Sequence, residues 1–210
     1  MIDRVADVIR THYELGEVTR TDAVSDNVVR FTTPRGGYAA KMFAASEVDH
    51  AEREAALLAH LAHGDSLYRV QPIVETHAGA FFVCTPSGAV VVTRWVHGLK
   101  KAFTDIGENE WRSLGATLAE LHLRLDTFPG KLPRITEYVV DPVAERARIA
   151  EDLHRAPGYT RYLDARRELL DRFGPGGLVP PPAPERPIHN DYNQHNYLFH
   201  DMLPPTILDW

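Results

Sequence analysis

Ile188-His189-Asn190-Asp191-Tyr192-Asn193-Gln194-His195-Asn196-Tyr197-Leu198-Phe199, followed by Thr206-Ile207-Leu208-Asp209-Trp210, is the stretch that decides how this chain is read. An aspartate and an asparagine stand five residues apart in a polar loop between short apolar runs, and a second aspartate follows thirteen residues after the asparagine. These side chains are hard oxygen donors. One carboxylate can accept or orient a hydroxyl proton, while an asparagine and a second aspartate suit Mg²⁺.

Upstream, the first hundred residues read mainly as strands. Segments 16–21, 27–33 and 38–43 are short and rich in strand-forming residues, with a turn at Pro34-Arg35-Gly36-Gly37. A helix follows over 47–63, where Val48, Ala51, Ala55 and Leu58 make an apolar stripe at helical spacing. Strands are expected at 70–75, 80–85 and 89–96, with a hairpin at Pro86-Ser87-Gly88. After His97-Gly98 the pattern turns helical. Trp111, Leu114, Leu118, Leu121 and Leu125 form one stripe, read as core. Further helices are expected over 141–154 and 159–173, the second closed by Gly174. The proline-rich run 174–187 reads as a surface connector, because proline removes a donor and fixes φ.

Four lysines serve the whole chain, against 19 arginines, and Lys41 is the only lysine before Lys100. Its flanks, Ala39-Ala40 and Met42-Phe43, are apolar. An unpaired ammonium in such a strand would be costly, so a partner is expected. Glu54 shares a helix face with Leu58 and Leu61, which favours it over Glu47 and Glu52.

Together these residues resemble the aminoglycoside phosphotransferase/choline kinase-like family, small-molecule kinases with a protein-kinase-like fold. The kinase loop H-R-D-x-x-x-x-N is matched as His189-Asn190-Asp191-x-x-x-x-Asn196, and the metal-binding Asp before Phe or Trp as Asp209-Trp210. Leu114 to His122 is similar to the family's helix ending in a Leu-His pair. The resemblance implies an α+β bilobal fold: a nucleotide-binding lobe over 1–96, with a five-stranded antiparallel sheet and one helix, and a mainly helical lobe over 97–210. It implies Asp191 as the catalytic base, Asn196 and Asp209 as Mg²⁺ ligands, Lys41 on the α/β-phosphates, Glu54 as its partner, and His189 as a brace of the catalytic loop. Residues 93–96 would form the hinge beside adenine. The implied cofactors are ATP (or GTP) and Mg²⁺, and the acceptor is a small-molecule hydroxyl such as that of an aminoglycoside, homoserine or choline.

No G-x-G-x-x-G joins the first two strands. Thr21-Asp22-Ala23-Val24-Ser25-Asp26 is the candidate phosphate loop, with Ser25 as its contact. Two rival readings exist: a nucleotide-binding pseudokinase of the same fold, and an unrelated metal-dependent hydrolase using Asp191, His195 and Asp209. The spacings among His189, His195 and His200 lack common zinc geometry. His122 reads as a packed or capping histidine, and Cys84 as a buried, inert strand residue.

Composition narrows the classes. The chain has 210 residues, 44% apolar and 25% charged, as globular proteins have. One cysteine excludes a disulfide scaffold. A net charge of −6 argues against nucleic acid as partner. No signal peptide or membrane-length apolar run is visible, so a cytoplasmic location without a membrane partner is expected; the oligomeric state is left open. In the resembled kinases further helices follow the metal-binding aspartate, so a C-terminal lobe cut short at Trp210 is also expected.

Overall fold

The computed structural model describes residues 2–62, 66–132, 142–155, 160–172, 188–189, 191–201 and 203–208. They fall in two compact units, residues 1–132 with 186–210, and residues 133–185. The first unit holds a five-stranded sheet and a three-stranded one.

The larger sheet is built from β1 (Arg20–Ala23), β2 (Val28–Thr33), β3 (Gly36–Ala44), β5 (Phe82–Thr85) and β6 (Gly88–Arg94). Their spatial order is β1-β2-β3-β6-β5, and every pairing is antiparallel. This is the expected five-stranded sheet. Alternation along β3 and β6 divides the side chains between two faces. Tyr38, Ala40, Val90 and Val92 pack with Val29, Phe31 and Val83 against Val5, Val8 and Ile9 of α1 (Ile2–His12). Phe43, Ala89 and Val91 pack on the other face with Ala51 and Ala55 of α2 (Val48–Leu61). Both faces are covered, which is why β6 is buried over six consecutive residues.

The sequence pattern assigns no element to residues 2–12, where α1 forms. Val5, Val8 and Ile9 carry its buried stripe at i, i+3 and i+4. β1 also starts later than expected and takes in Asp22 and Ala23 from the candidate phosphate loop. Cys84 is exposed, against the expectation of burial. It lies on the edge strand β5, where Val83 turns inward and its neighbour must turn outward.

The hairpin between β5 and β6 closes at Gly88, whose φ is +133°. A Cβ there would lie 1.8 Å from the Phe43 carbonyl oxygen, so only glycine fits.

The expected strand at 70–75 shrinks to β4 (Arg69–Val70), which joins no strand of the large sheet. It runs parallel to β8 (Leu203–Ile207), and β8 pairs antiparallel with β7 (Tyr197–His200). Pro204 and Pro205 lie where the β7–β8 register shifts, between Leu198↔Thr206 and His200↔Leu203, so the missing donors break no ladder. Beyond β4 the chain touches the large sheet through an Ile73↔Thr93 bridge and a Val74 N–H donated to Val92.

α3 (Glu108–Leu125) buries Leu114, Thr117, Leu121 and Leu125. The three leucines share a core with Leu57, Leu58 and Leu61 of α2 and with Val70, Tyr197 and Ile207 of the small sheet. Trp111 departs from the expected stripe: it is exposed and packs on Phe103, with ring centroids 4.9 Å apart. The link from β6 to α3 crosses β7 closely, and a Cβ on Gly98 would sit 2.7 Å from that of Leu198.

The second unit carries α4 (Pro142–Arg155) and α5 (Thr160–Arg172), within a residue or two of expectation. Proline at the first helical position suits α4, since its missing N–H would lack a helical partner anyway. An Arg146–Asp171 ion pair of 3.2 Å links the two. Gly174 and the connector 174–187 lie outside the described residues.

Candidate functional site

Lys41 lies in β3, the central strand, opposite Val28 of β2 and Val91 of β6. It shares its face with Phe43, the face that packs on α2. Its Nζ donates to Glu54 Oε2 at 2.7 Å, with the side chains 22% and 10% exposed respectively. Glu54 is the one glutamate of the three that reaches it: Glu47 instead accepts from the Ala44 N–H at 2.9 Å, and Glu52 is exposed. A glutamate buried in α2 makes sense only beside a cation, because an isolated buried carboxylate is strongly disfavoured.

The loop that leads into β7 is held from several sides. The Asp191 backbone N–H donates to His189 Nδ1 at 3.3 Å, and His189 Nε2 lies 3.2 Å from the Leu208 carbonyl oxygen. The two bonds agree on one tautomer: Nδ1 bare and Nε2 protonated. His189 thereby ties the loop to β8's outgoing end, the brace expected of it. Leu208 N–H in turn donates to the Asn196 carbonyl at 2.9 Å.

Tyr192 anchors the loop to α3. Its hydroxyl donates to the Leu114 carbonyl at 2.8 Å, and its ring packs 4.6 Å from that of Tyr197. Burial raises the pKa of both phenols, so each keeps its proton at neutral pH.

Asp191 is exposed, and both its carboxylate oxygens accept amide hydrogens from the same loop. Asn196 Nδ2 donates to Oδ2 at 2.8 Å and to the Asp191 carbonyl at 3.0 Å. Asn193 Nδ2 donates to Oδ1. Asn196 is buried, at 8% exposure, and its amide nitrogen is committed to Asp191, so its carbonyl Oδ1 is the atom left to meet a cation. That donor chemistry fits Mg²⁺.

Ser25 sits in the tight turn between β1 and β2. Its N–H and that of Val24 both go to the Val28 carbonyl, and its hydroxyl donates to Asn27 Oδ1 at 3.0 Å. The turn is closed by its own hydrogen bonds rather than shaped as an open anion cradle. Asp209 lies outside the described residues. Among the described residues, no group of three His, Cys, Asp or Glu is placed to hold a metal ion. His195 is exposed; its backbone N–H donates to Asn193 Oδ1 at 2.9 Å. His122 is packed as expected, with Nε2 buried and unpartnered among the described residues. Asn193 is the residue that the sequence reading passed over. Its signal was its position, two residues after Asp191 and immediately before a 3₁₀ turn.

A five-stranded antiparallel sheet covered by α2, joined to a helix α3 and a small sheet that follows a polar loop, defines a protein-kinase-like α+β protein. Residues 17–210 match the phosphotransferase enzyme family, and the chain belongs to it. No curated protein matches the chain. Among solved structures, it is similar to the amicoumacin kinase hAmiN in complex with AMP-PNP, Ca²⁺ and Ami (TM-score 0.61, 18% identity, 99% of this chain and 63% of that one). It is also similar to the spectinomycin phosphotransferase APH(9)-Ia with ADP and spectinomycin (0.55, 12%, 99% and 68%). A third is a microcompartment-associated aminopropanol kinase (0.57, 19%, 98% and 68%). The chain thus spans 63–68% of the length of these proteins. Among the described residues, no helix is long and apolar enough to cross a membrane.

Proposed function

We propose that this chain is a small-molecule kinase that moves the γ-phosphoryl group of ATP (or GTP) to a hydroxyl of a small acceptor. The observation that carries the reading is the Asp191–Asn196 pair. One loop holds an exposed carboxylate by an asparagine amide, and the same asparagine keeps a carbonyl oxygen for a cation. The family match supports it, as do structural neighbours crystallised with ADP or AMP-PNP and, in one case, Ca²⁺.

In this reading residues 1–96 form the nucleotide lobe and 97–210 carry the catalytic loop. Lys41 Nζ, held by Glu54, binds the α/β-phosphates, and 93–96 pass the adenine. Ser25 would add a phosphate contact, though its hydroxyl must first leave Asn27. Asn196 and Asp209 would hold Mg²⁺, which when bound neutralises phosphate charge. Asp191 accepts a hydrogen bond from the acceptor hydroxyl, aligns its oxygen with the γ-phosphorus and takes the proton as the new O–P bond forms and the bond from the γ-phosphorus to the departing nucleoside diphosphate breaks. Such a reaction needs mostly positioning and charge stabilisation. The acceptor is a small molecule rather than nucleic acid or membrane, and a cytoplasmic location would supply the ATP.

The test is ATP consumption by the purified chain across a library of alcohols and amino alcohols, with and without Mg²⁺. Phosphorylated product from wild type but not from Asp191→Asn supports the proposal. Zinc, iron or manganese retained through purification, with hydrolysis but no phosphorylated acceptor, would favour the hydrolase instead.

A further inference from the structure

Asn193 touches two things at once. Its Nδ2 donates to Asp191 Oδ1, while its Oδ1 accepts the His195 backbone N–H at 2.9 Å and so caps the 3₁₀ turn Gln194–Asn196. The turn ends on Asn196, whose own amide donates to the other Asp191 oxygen. The Asn193 carbonyl also accepts the Asn196 N–H at 3.0 Å, and the Asn193 N–H donates to the Asp191 carbonyl at 2.9 Å. One side chain is therefore fixed at its oxygen end by backbone and presents its nitrogen end to the carboxylate.

An amide can do this in only one orientation. The His195 N–H needs an acceptor, so the carbonyl must face the turn and the NH₂ must face Asp191. Flipping the amide would break both bonds together. The carboxylate is thus held from both sides by neutral donors, each bound to one oxygen. A carboxylate accepts about four hydrogen bonds, so two such clamps leave room for an acceptor hydroxyl. Neutral clamps fix the direction of those lone pairs without adding a charge that would compete for the proton.

We infer that Asn193 is a positioning residue that sets the orientation of Asp191 for the acceptor hydroxyl, through a clamp whose geometry is fixed by the turn carrying Asn196. The inference rests on the kinase reading above and adds a residue to it.

The decisive variant is Asn193→Asp. Aspartate is as good a cap as asparagine, so the 3₁₀ turn keeps its acceptor, but the donor to Asp191 becomes a like charge. Asn193→Ala loses donor and cap without adding charge. Positioning predicts that, at saturating Mg²⁺ and ATP, Asn193→Asp lowers kcat by about tenfold or more, and lowers it further than Asn193→Ala does. The KM for ATP should change little and the melting temperature should stay near wild type. A capping role alone predicts the reverse order, with Asn193→Asp like wild type and Asn193→Ala impaired, and that result would overturn the inference.

A second measurement needs no turnover. In wild type the two Asn193 side-chain amide protons should differ in NMR shift and exchange slowly with solvent, and both properties should be lost in Asp191→Ala. Amide signals indifferent to Asp191 overturn the clamp. Absence of Mg²⁺-dependent phosphoryl transfer in wild type overturns the kinase reading itself, and the NMR comparison of wild type with Asp191→Ala still decides the contact.

Discussion

Lys41 Nζ and Glu54 Oε2 lie 2.7 Å apart, joining the central strand of the large sheet to the helix that covers it. The pair is mostly withdrawn from water, so removing one partner weakens the compensation of the other charge. Lys41→Ala or Glu54→Ala should cost about 1–3 kcal/mol of stability, below the range for a fully buried pair because Lys41 keeps some exposure. If Lys41 binds phosphates, either change should also lower kcat/KM for ATP about a hundredfold or more. The double variant Lys41→Met/Glu54→Leu separates the two effects. Apolar replacement of both charges should recover stability but no activity, as thermal melts and ATP kinetics on the same preparations would show. Recovery of both would remove the pair from the site.

Asp191 is exposed and, among the described residues, its hydrogen bonds stay within residues 189–196, so replacing it should leave the fold intact. Asp191→Asn should lower kcat by about 10²–10⁴ while calorimetry still finds ATP bound near wild-type affinity. A variant that turns over at the wild-type rate would take Asp191 out of the chemistry.

The legible parts of the chain were those in which local spacing and tertiary role coincide. The β-branched runs of β2 and β6 and the turn-bounded apolar run of β3 sit inside a sheet and read as strands, while α3, α4 and α5 carry helical stripes of ordinary length. The loop 188–199 was legible because its polar residues interrupt two apolar runs. α1 was missed although Val5, Val8 and Ile9 spell a helix face, because a short apolar stripe among charged residues is a weak signal until a sheet is known to need covering. The β4–β8 pairing was beyond reach: two strand residues, far from their partners in sequence, carry no pattern of their own. Cys84 shows a subtler limit. Strand residues alternate, but which half of the alternation faces the core is settled by neighbours, and β5 has a neighbour on one side only. Asn193 escaped because a capping asparagine in a turn looks ordinary, and its second bond depends on how the turn folds back.

Gly88→Ala should be among the most damaging small substitutions in the sheet. The φ of +133° is strained for any L side chain, and the new methyl would meet the Phe43 carbonyl at 1.8 Å. Relief requires β3 and β6 to part at Ala44↔Gly88, three pairs from Lys41↔Val91. A loss of about 2 kcal/mol or more is expected, seen as a fall in melting temperature of roughly 4 °C or more. Gly107→Ala, at a helix cap with φ of −74°, is the control that should change far less.

His122 should make stability fall on mild acidification. Burial of its ring in α3 lowers its pKa below the ordinary 6.5, and the opposing pull of Asp126 is smaller. The folded state then binds a proton less readily than the unfolded chain. Between the ordinary value and the depressed one, unfolded chains carry more protons, so stability rises with pH across that window and is complete above it. Below the depressed value both states are protonated and the slope ends. Nε2 is buried without a partner among the described residues, so an apolar residue of similar size loses no hydrogen bond there. His122→Leu should therefore match or exceed wild type above pH 7, and its advantage in urea unfolding should widen as pH drops below 6.5. His200, also depressed by burial, contributes a slope of the same sign, but it is present in both proteins and cancels in the difference. A difference that stays constant from pH 8 to pH 5 would show that His122 has the same proton affinity folded and unfolded.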